Sequence, residues 1–198
     1  MQNSVDLKEK IIQESLKLFS LKGFLSTSIL DIMKVVNTSK GGLYNHFKSK
    51  DDLFLAVLSE ARKVWRQRNL MGLEQIEKPV EKVIKLLTNY RDNYLTDKET
   101  FPGGCIFVTL SMELDDQRPD FSQEITEGFK RLKAMIKRYL DQGKDSGELR
   151  TDVDMEVVTE MIFSGMLGAS VIYGTEKSYE SLNRCINALI GYLRSLGP

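Results

Sequence analysis

An all-α fold is predicted, a small head of three helices with a helix-turn-helix, followed by a larger helical body. Three observations predict it. Apolar residues recur at three- and four-residue steps through almost every segment of the chain. Ser or Asp stands in front of several of these runs, where its side chain caps a helix. Gly72, Pro79, Gly104 and Pro119 fall between runs rather than inside them. The head is assigned to residues 1–49 and the body to residues 50–198.

Taken in order, Leu7, Ile11, Ser15 and Leu18, flanked by Ile12, Leu16 and Phe19, form an amphipathic helix that ends near Gly23. Lys8, Lys10, Lys17 and Lys22 lie on its solvated side, and Phe24 carries the apolar pattern into the next turn. Thr27 and Ser28 offer capping hydroxyls to a second helix, which places Ile29, Ile32, Val35 and Val36 at helical spacing. Asn37 tolerates the left-handed backbone that a sharp helix-ending turn requires. Ser39 then caps a third helix in which Leu43 and Phe47 face inward, while Lys40, Tyr44 and Lys48 share another face.

That cationic and aromatic face suits a groove lined by phosphates. Gly41 and Gly42 stand at its start, although each glycine inside a helix costs about 1 kcal/mol relative to alanine. Two readings compete. The glycines loosen a first turn that only forms the bend, or their bare backbone lets the chain approach another molecule. Lys40 beside them and Tyr44 one turn on favour the second, and the whole describes a helix-turn-helix whose second helix enters the DNA major groove.

The stretch GFLSTSILDIMKVVNTSKGGLYNHFKSKDDLF resembles the DNA-binding signature of the TetR/AcrR family of bacterial transcriptional regulators. The likeness spans about residues 6–55 and is most specific in SKGGLYNHFKSKDDL. Val36-Asn37-Thr38 departs from the Ala-Gly-Val common in that family's turn, with Asn serving where Gly is usual. Gly42 falls where the family varies and brings no side chain to read a base. The resemblance implies that Thr27, Ser39, Tyr44, His46 and Lys50 engage phosphates, and that Lys40, Gly41 and Asn45 approach base edges. The chemistry agrees: hydroxyls and cations suit phosphate oxygens, an amide suits adenine and an ammonium suits guanine.

Charge distribution supports a nucleic-acid partner where net charge does not. The 198 residues carry 28 Lys and Arg against 28 Asp and Glu, a net charge of zero. Residues 1–50 nonetheless hold eight basic and four acidic side chains, and the remainder holds twenty and twenty-four. A basic head on an acidic body attracts DNA through the head alone.

The body begins with Ser49-Lys50-Asp51-Asp52, a cap followed by acids in the first turn. The helix after it carries Leu53, Phe54, Val57, Leu58, Ala61, Val64 and Trp65 without a break until Gly72. Pro79 opens the next helix, which runs through Tyr90 and Tyr94 to Leu95. A polar break over 96–104 precedes a buried helix over Cys105 to Leu114. Glu113, Asp115 and Asp116 lack a histidine neighbour, so a solvated helix end is preferred to a carboxylate site. PGGCIFVTLSMELDDQRP resembles, more loosely, the start of the effector domain in one subgroup of TetR-like regulators. Phe121 to Tyr139 forms another amphipathic helix, and Gln142 to Arg150 reads as a polar connector.

The last fifty residues read as a helical hairpin. Its first helix carries Val158, Met161, Ile162, Gly165, Met166, Ala169 and Ile172. Its second carries Leu182, Cys185, Ile186, Leu189, Ile190, Leu193 and Leu196. Either the hairpin closes its own domain, or two copies form a four-helix bundle. The second is preferred because TetR-like proteins dimerise this way, so a homodimer through residues about 155–196 is expected, buried at Leu182, Ile186, Leu189 and Leu193.

Composition excludes other classes. With 41% apolar and 28% charged residues the chain is globular rather than disordered. No apolar run approaches the roughly 18 residues of a membrane span, and the N-terminus has no hydrophobic signal core, so no membrane partner and a cytoplasmic location are expected. Cys105 and Cys185 form neither a disulfide framework nor a metal spacing. The sole histidine, His46, has no nucleophile to pair with, and no phosphate-binding glycine loop or nucleophile elbow occurs. The expectation is therefore not an enzyme, with no catalytic residues, no metal and no cofactor.

The reading is a ligand-responsive transcriptional regulator, a repressor that binds an inverted-repeat operator in double-stranded DNA as a dimer and is released by a small-molecule effector of unknown identity. The alternative is a helical dimeric adaptor whose head contacts protein. Trp65, Tyr90, Tyr94, Phe107, Met112, Phe129, Met135, Phe163 and Met166 either shape an effector pocket or are plain core.

Overall fold

The structure, a computed structural model, describes the backbone of residues 2–198 and the side chains from Leu7 onward. Among the described residues the ordered elements are helical. The head comprises α1 (Gln2–Lys22), α2 (Ile29–Val36) and α3 (Lys40–Tyr44). Local chemistry fixes each boundary. Ser28 caps α2 reciprocally: the Asp31 amide donates to Ser28 Oγ at 3.1 Å, and the Ser28 amide donates to Asp31 Oδ2 at 2.9 Å. Asn37 ends α2 in the left-handed conformation, φ 58°, with its N–H directed at the carbonyls of Lys34 and Met33. Ile11, Leu16, Phe19, Ile32, Leu43 and Phe47 close the core of the head.

The body comprises α4 (Lys50–Asn69), α5 (Pro79–Asn89), α6 (Ile106–Leu114), α7 (Pro119–Asp145), α8 (Met155–Glu176) and α9 (Tyr179–Ser195). Ser49 caps α4, its Oγ accepting the Asp52 amide at 3.0 Å. Short 3-10 structure at Leu73–Gln75 links α4 to α5. Beyond Asn89 the chain continues as a π-helical turn, Tyr90–Leu95, where an uninterrupted α-helix was expected. Asn89 anchors that junction by donating to the carbonyls of Asn69 and Met71 at the end of α4. The α7 helix runs to Asp145, through part of the expected connector, and Gly147 at φ 78° turns the chain after it. Its last turns are polar on the exposed side and resemble a loop in sequence, but Leu140 and Gly143 are buried beneath them.

The hairpin α8–α9 corrects the expected dimer stripe. Leu182, Ile186 and Leu193 have no exposed surface and Leu189 only 9% within a single chain, because α9 packs on α8 and α5. Leu189 lies against Gly165, where a Cβ would sit 2.5 Å from its Cδ2. The stripe therefore closes its own domain. Length and composition alone would let α8 cross a membrane, but Val158, Ile162, Met166, Ala169 and Tyr173 on it are core residues here.

Head and body meet at an aromatic joint. Phe54 of α4 stacks on Phe121 of α7 with centroids 4.1 Å apart and meets Phe24 edge-on at 4.8 Å. Arg118 lies 3.8 Å above the Phe121 ring and forms ion pairs with Asp51 and Asp120. Glu113 departs from the expected solvated helix end. Its carboxylate accepts the amides of Phe24 at 2.6 Å and Leu25 at 2.9 Å, tying α6 to the turn between α1 and α2. Gly23 makes room for that contact at φ 80°, where a Cβ would fall 2.3 Å from Glu113 Oε1. Asp115 and Asp116 remain exposed.

Candidate nucleic-acid interface and inner cavity

The face presented by α3 follows from its cap and its two buried anchors. Ser39 Oγ accepts the Gly42 amide at 3.1 Å, and Leu43 within the helix and Phe47 just beyond it are buried. Ser39, Lys40, Gly41, Tyr44 and Asn45 are consequently exposed together, with His46 half-buried beside them. The helix is shorter than expected. It ends at Tyr44, with Asn45 as its C-cap, so Phe47 and Lys48 belong to the following turn. Lys40 Nζ lies 6.0 Å from the Tyr44 ring centroid, so cation and aromatic form one continuous patch.

The two glycines prove different. A Cβ on Gly42 would sit 2.4 Å from the Thr38 hydroxyl, which gives that glycine a reason internal to the fold. On Gly41 it would meet only Ser39 Oγ at 3.8 Å, an ordinary contact. The protein itself has no steric need for Gly41.

Two expected phosphate contacts are placed differently. Thr27 is buried with no exposed surface, and its hydroxyl donates to the Gly23 carbonyl at 2.6 Å. That hydroxyl braces the α1–α2 turn and has no surface to offer a phosphate, while neighbouring Ser28 takes the cap. Lys50 is half-buried, with its ammonium 4.2 Å over the Phe24 ring. Burial lowers its pKa, partly offset by the nearby Glu113 carboxylate. Its side chain is turned toward the joint between head and body.

A cavity of about 270 Å³ opens inside the body, just below the range of about 300–1,000 Å³ for small-molecule sites. Arg62, Trp65, Arg66 and Leu70 of α4 form one wall, and Glu124, Ile125, Gly128, Phe129, Arg131, Leu132 and Met135 of α7 another. Tyr90, Cys105 and Phe107 line a third side, and Phe163, Met166 and Leu167 of α8 a fourth. Seven of the nine expected lining residues are among them: Trp65, Tyr90, Phe107, Phe129, Met135, Phe163 and Met166.

Tyr94 and Met112 are not. Tyr94 is fully buried, 4.9 Å from Phe101 by ring centroid, with its hydroxyl donating to Cys105 Sγ at 3.5 Å. Met112 is 80% exposed on the outer face of α6. Burial pushes the Tyr90 phenol well above its ordinary pKa, so it offers the cavity a neutral hydroxyl. Sequence reasoning missed the charged rim: Arg62, Arg66, Arg131 and Glu124 lie on amphipathic faces that read as solvated.

Two domain profiles match the chain. Residues 11–57 match that of the bacterial regulatory proteins of the TetR family, and residues 79–189 the tetracyclin repressor-like C-terminal domain. The chain belongs to the TetR family.

It is a DNA-binding transcriptional regulator with a helix-turn-helix head. Among curated relatives, the HTH-type transcriptional repressor DhaR of Mycobacterium sp. strain GP1 is 22% identical over 184 residues, covering 92% of this chain and 90% of DhaR. Among solved structures, a TetR transcriptional regulator from Chloroflexus aurantiacus superposes with a TM-score of 0.88 at 27% identity, covering 98% of this chain and 96% of that one. The TetR family transcriptional regulator CifR, in a cysteine mutant complexed with 26 bp double-strand operator DNA, gives a TM-score of 0.78 at 20% identity and covers 93% of this chain and 94% of that one. At that identity the likeness to CifR is one of fold.

Within this TetR-family regulator, three helices run from the cavity to the head. The α4 helix carries Arg62 and Trp65 at the cavity and Asp51 and Phe54 at the joint. Along α6, Phe107 faces the cavity and Glu113 holds the α1–α2 turn. On α7, Glu124 and Ile125 lie only one turn beyond Phe121.

Proposed function

We propose that this TetR-family protein is a cytoplasmic repressor that grips an inverted-repeat operator as a homodimer and lets go when a small molecule fills the cavity of its body. The head, residues 1–49, reads DNA, and the body, residues 50–198, binds effector and partner subunit. The observation that carries the DNA reading is Gly41, bare at the exposed start of α3 for no reason internal to the fold. Lys40, Gly41 and Asn45 approach base edges, and Ser39, Tyr44 and His46 grip phosphates. Lys50 joins them only by swinging off Phe24. The names of DhaR, a repressor, and CifR, bound to operator DNA, support the same assignment.

The dimer face in this proposal is the outer side of the α8–α9 hairpin. Val157, Met161, Ser164, Gly168 and Val171 recur on α8 at four- and three-residue steps, and Val157, Met161 and Val171 are large apolar side chains left exposed. Ala188, Gly191 and Ser195 are exposed on α9. Small residues between apolar ones allow helices of two subunits to approach closely, and a two-fold axis makes the patch self-complementary.

Release requires the effector to prefer the arrangement that does not fit DNA, since equal affinity for both arrangements shifts nothing. A tenfold release needs about 1.4 kcal/mol of coupling, and operator DNA must then weaken effector binding tenfold. The α4, α6 and α7 helices are the mechanical route.

The experiment is to select DNA fragments with the purified protein, with and without cell extracts, and then to compare Lys40→Ala and Asn45→Ala on the selected operator and on a random duplex. Each substitution is expected to cost about 1–3 kcal/mol on the operator and much less on the random duplex, because base contacts carry the specificity. Equal loss on both duplexes would reduce these residues to backbone contacts. Failure to select any sequence would favour the adaptor reading.

A further inference from the structure

The effector reading leaves the chemistry of the ligand open, and the charges around the cavity narrow it. Among the lining side chains three are guanidinium groups and one is a carboxylate. Glu124 is already engaged: Arg62 Nη2 donates to its carboxylate and to its backbone carbonyl, both at 2.8 Å. The side chains of Arg66 and Arg131 are exposed and, among the described residues, make neither a hydrogen bond nor an ion pair. They approach from α4 and α7, on different walls of the same cavity, whose interior is aromatic and aliphatic. The neutral Tyr90 hydroxyl lies buried within that lining.

We infer that the ligand is an amphipathic monoanion, an apolar chain or ring system inside the cavity carrying a carboxylate held by Arg66 and Arg131. This rests on the cavity being the effector site. Two forked donors with no hydrogen-bonded partner of their own match a carboxylate, which accepts paired N–H groups from guanidinium. A cationic ligand meets the opposite field, since the carboxylate that would receive it is spent on Arg62, and Lys133 already lies 5.7 Å from the Phe163 ring centroid. A neutral apolar ligand fits the interior but leaves both guanidiniums unused.

The chain contains one tryptophan, Trp65, and it lines the cavity, so its fluorescence reports occupancy without a label. Decanoate, decanol and decyltrimethylammonium share one chain length and differ in charge. Each is titrated below its micellar range into the full-length wild type, Arg66→Gln/Arg131→Gln and Gly128→Leu. Gly128 lines the cavity and a Cβ there meets nothing within 4 Å, so a leucine side chain starts from open space.

Decanoate is expected to bind about tenfold or more tighter than the other two, the order of one charge-assisted pair. The double Gln variant is expected to bind decanoate and decanol alike while keeping its helical circular dichroism. Gly128→Leu is expected to weaken decanoate binding. Preference for decanol or for the cation would overturn the anion assignment and leave the cavity standing as the effector site. Decanoate binding unchanged in Gly128→Leu would put the probe outside the cavity and overturn the inference. No Trp65 response to any probe would also overturn it, whereas the effector reading falls only if no extract releases operator from the wild type.

Discussion

Met161→Asp combined with Val171→Asp is expected to convert the proposed dimer into monomers that remain folded and bind operator at least about a hundredfold more weakly. Both side chains are exposed in the single chain, so aspartate at either place costs the isolated subunit little. Buried against a partner, each carboxylate would be desolvated and meet its symmetry mate, which costs several kcal/mol. A subunit binding only one half-site loses the gain from linking the two heads, which reaches about 10²–10⁴ for a well-matched geometry. Light scattering measures the mass, circular dichroism the fold and a gel-shift titration the affinity. Dimers of the double variant that hold operator normally would move the interface elsewhere. Leu189→Asp is expected to behave differently: Leu189 is core of its own subunit against Gly165, so its loss should unfold the hairpin rather than separate two sound monomers.

Glu113→Ala is expected to free the α1–α2 turn while leaving the cavity formed. The carboxylate receives two amides, and hydrogen bonds to charged groups contribute about 1.5–3 kcal/mol each in favourable sites. Glu113 is only half-buried, so solvent takes part of that, and a total loss of about 1–3 kcal/mol follows. In a chain of this size each 1 kcal/mol lowers Tm by about 2–4 °C. The local signature is sharper: the amides of Phe24 and Leu25 should lose hydrogen-exchange protection relative to those of the α8 core. Gly23→Ala should reproduce it, because its methyl group would occupy the place of Glu113 Oε1. Unchanged exchange at Phe24 in Glu113→Ala would remove α6 as a route between body and head.

Sequence proved a good guide wherever the determining interactions were local. Ser28, Asn37, Ser39 and Ser49 begin or end helices through partners within four residues, so the helix starts and the turn of the helix-turn-helix were legible, while the early end of α3 at Tyr44 and the inward-facing Thr27 were not. The cavity was legible in part, because large aromatic and Met side chains either fill a core or line a gap, and spacing does not tell the two apart. Tyr90 and Tyr94 illustrate it. Four residues apart and 5.6 Å between ring centroids, they are separated by a π-helical turn that leaves one on the cavity and the other in the core. The dimer stripe failed for a related reason: an apolar stripe is buried, but periodicity does not say whether the cover is the same chain or a copy. Glu113 was out of reach because its partners are backbone amides 88 and 89 residues away, and amides carry no sequence signature.

The claim on which all of this depends is that α3 touches DNA, and Gly41→Ala tests it most directly. Alanine at this helical position meets only Ser39 Oγ at 3.8 Å and adds up to about 1 kcal/mol of helix propensity, so the variant should be as stable as the wild type or more so. On the selected operator its affinity should nevertheless fall tenfold or more, about 1.4 kcal/mol, because the methyl group would hold the backbone away from the bases. A stable Gly41→Ala protein that binds operator as tightly as the wild type would contradict the account.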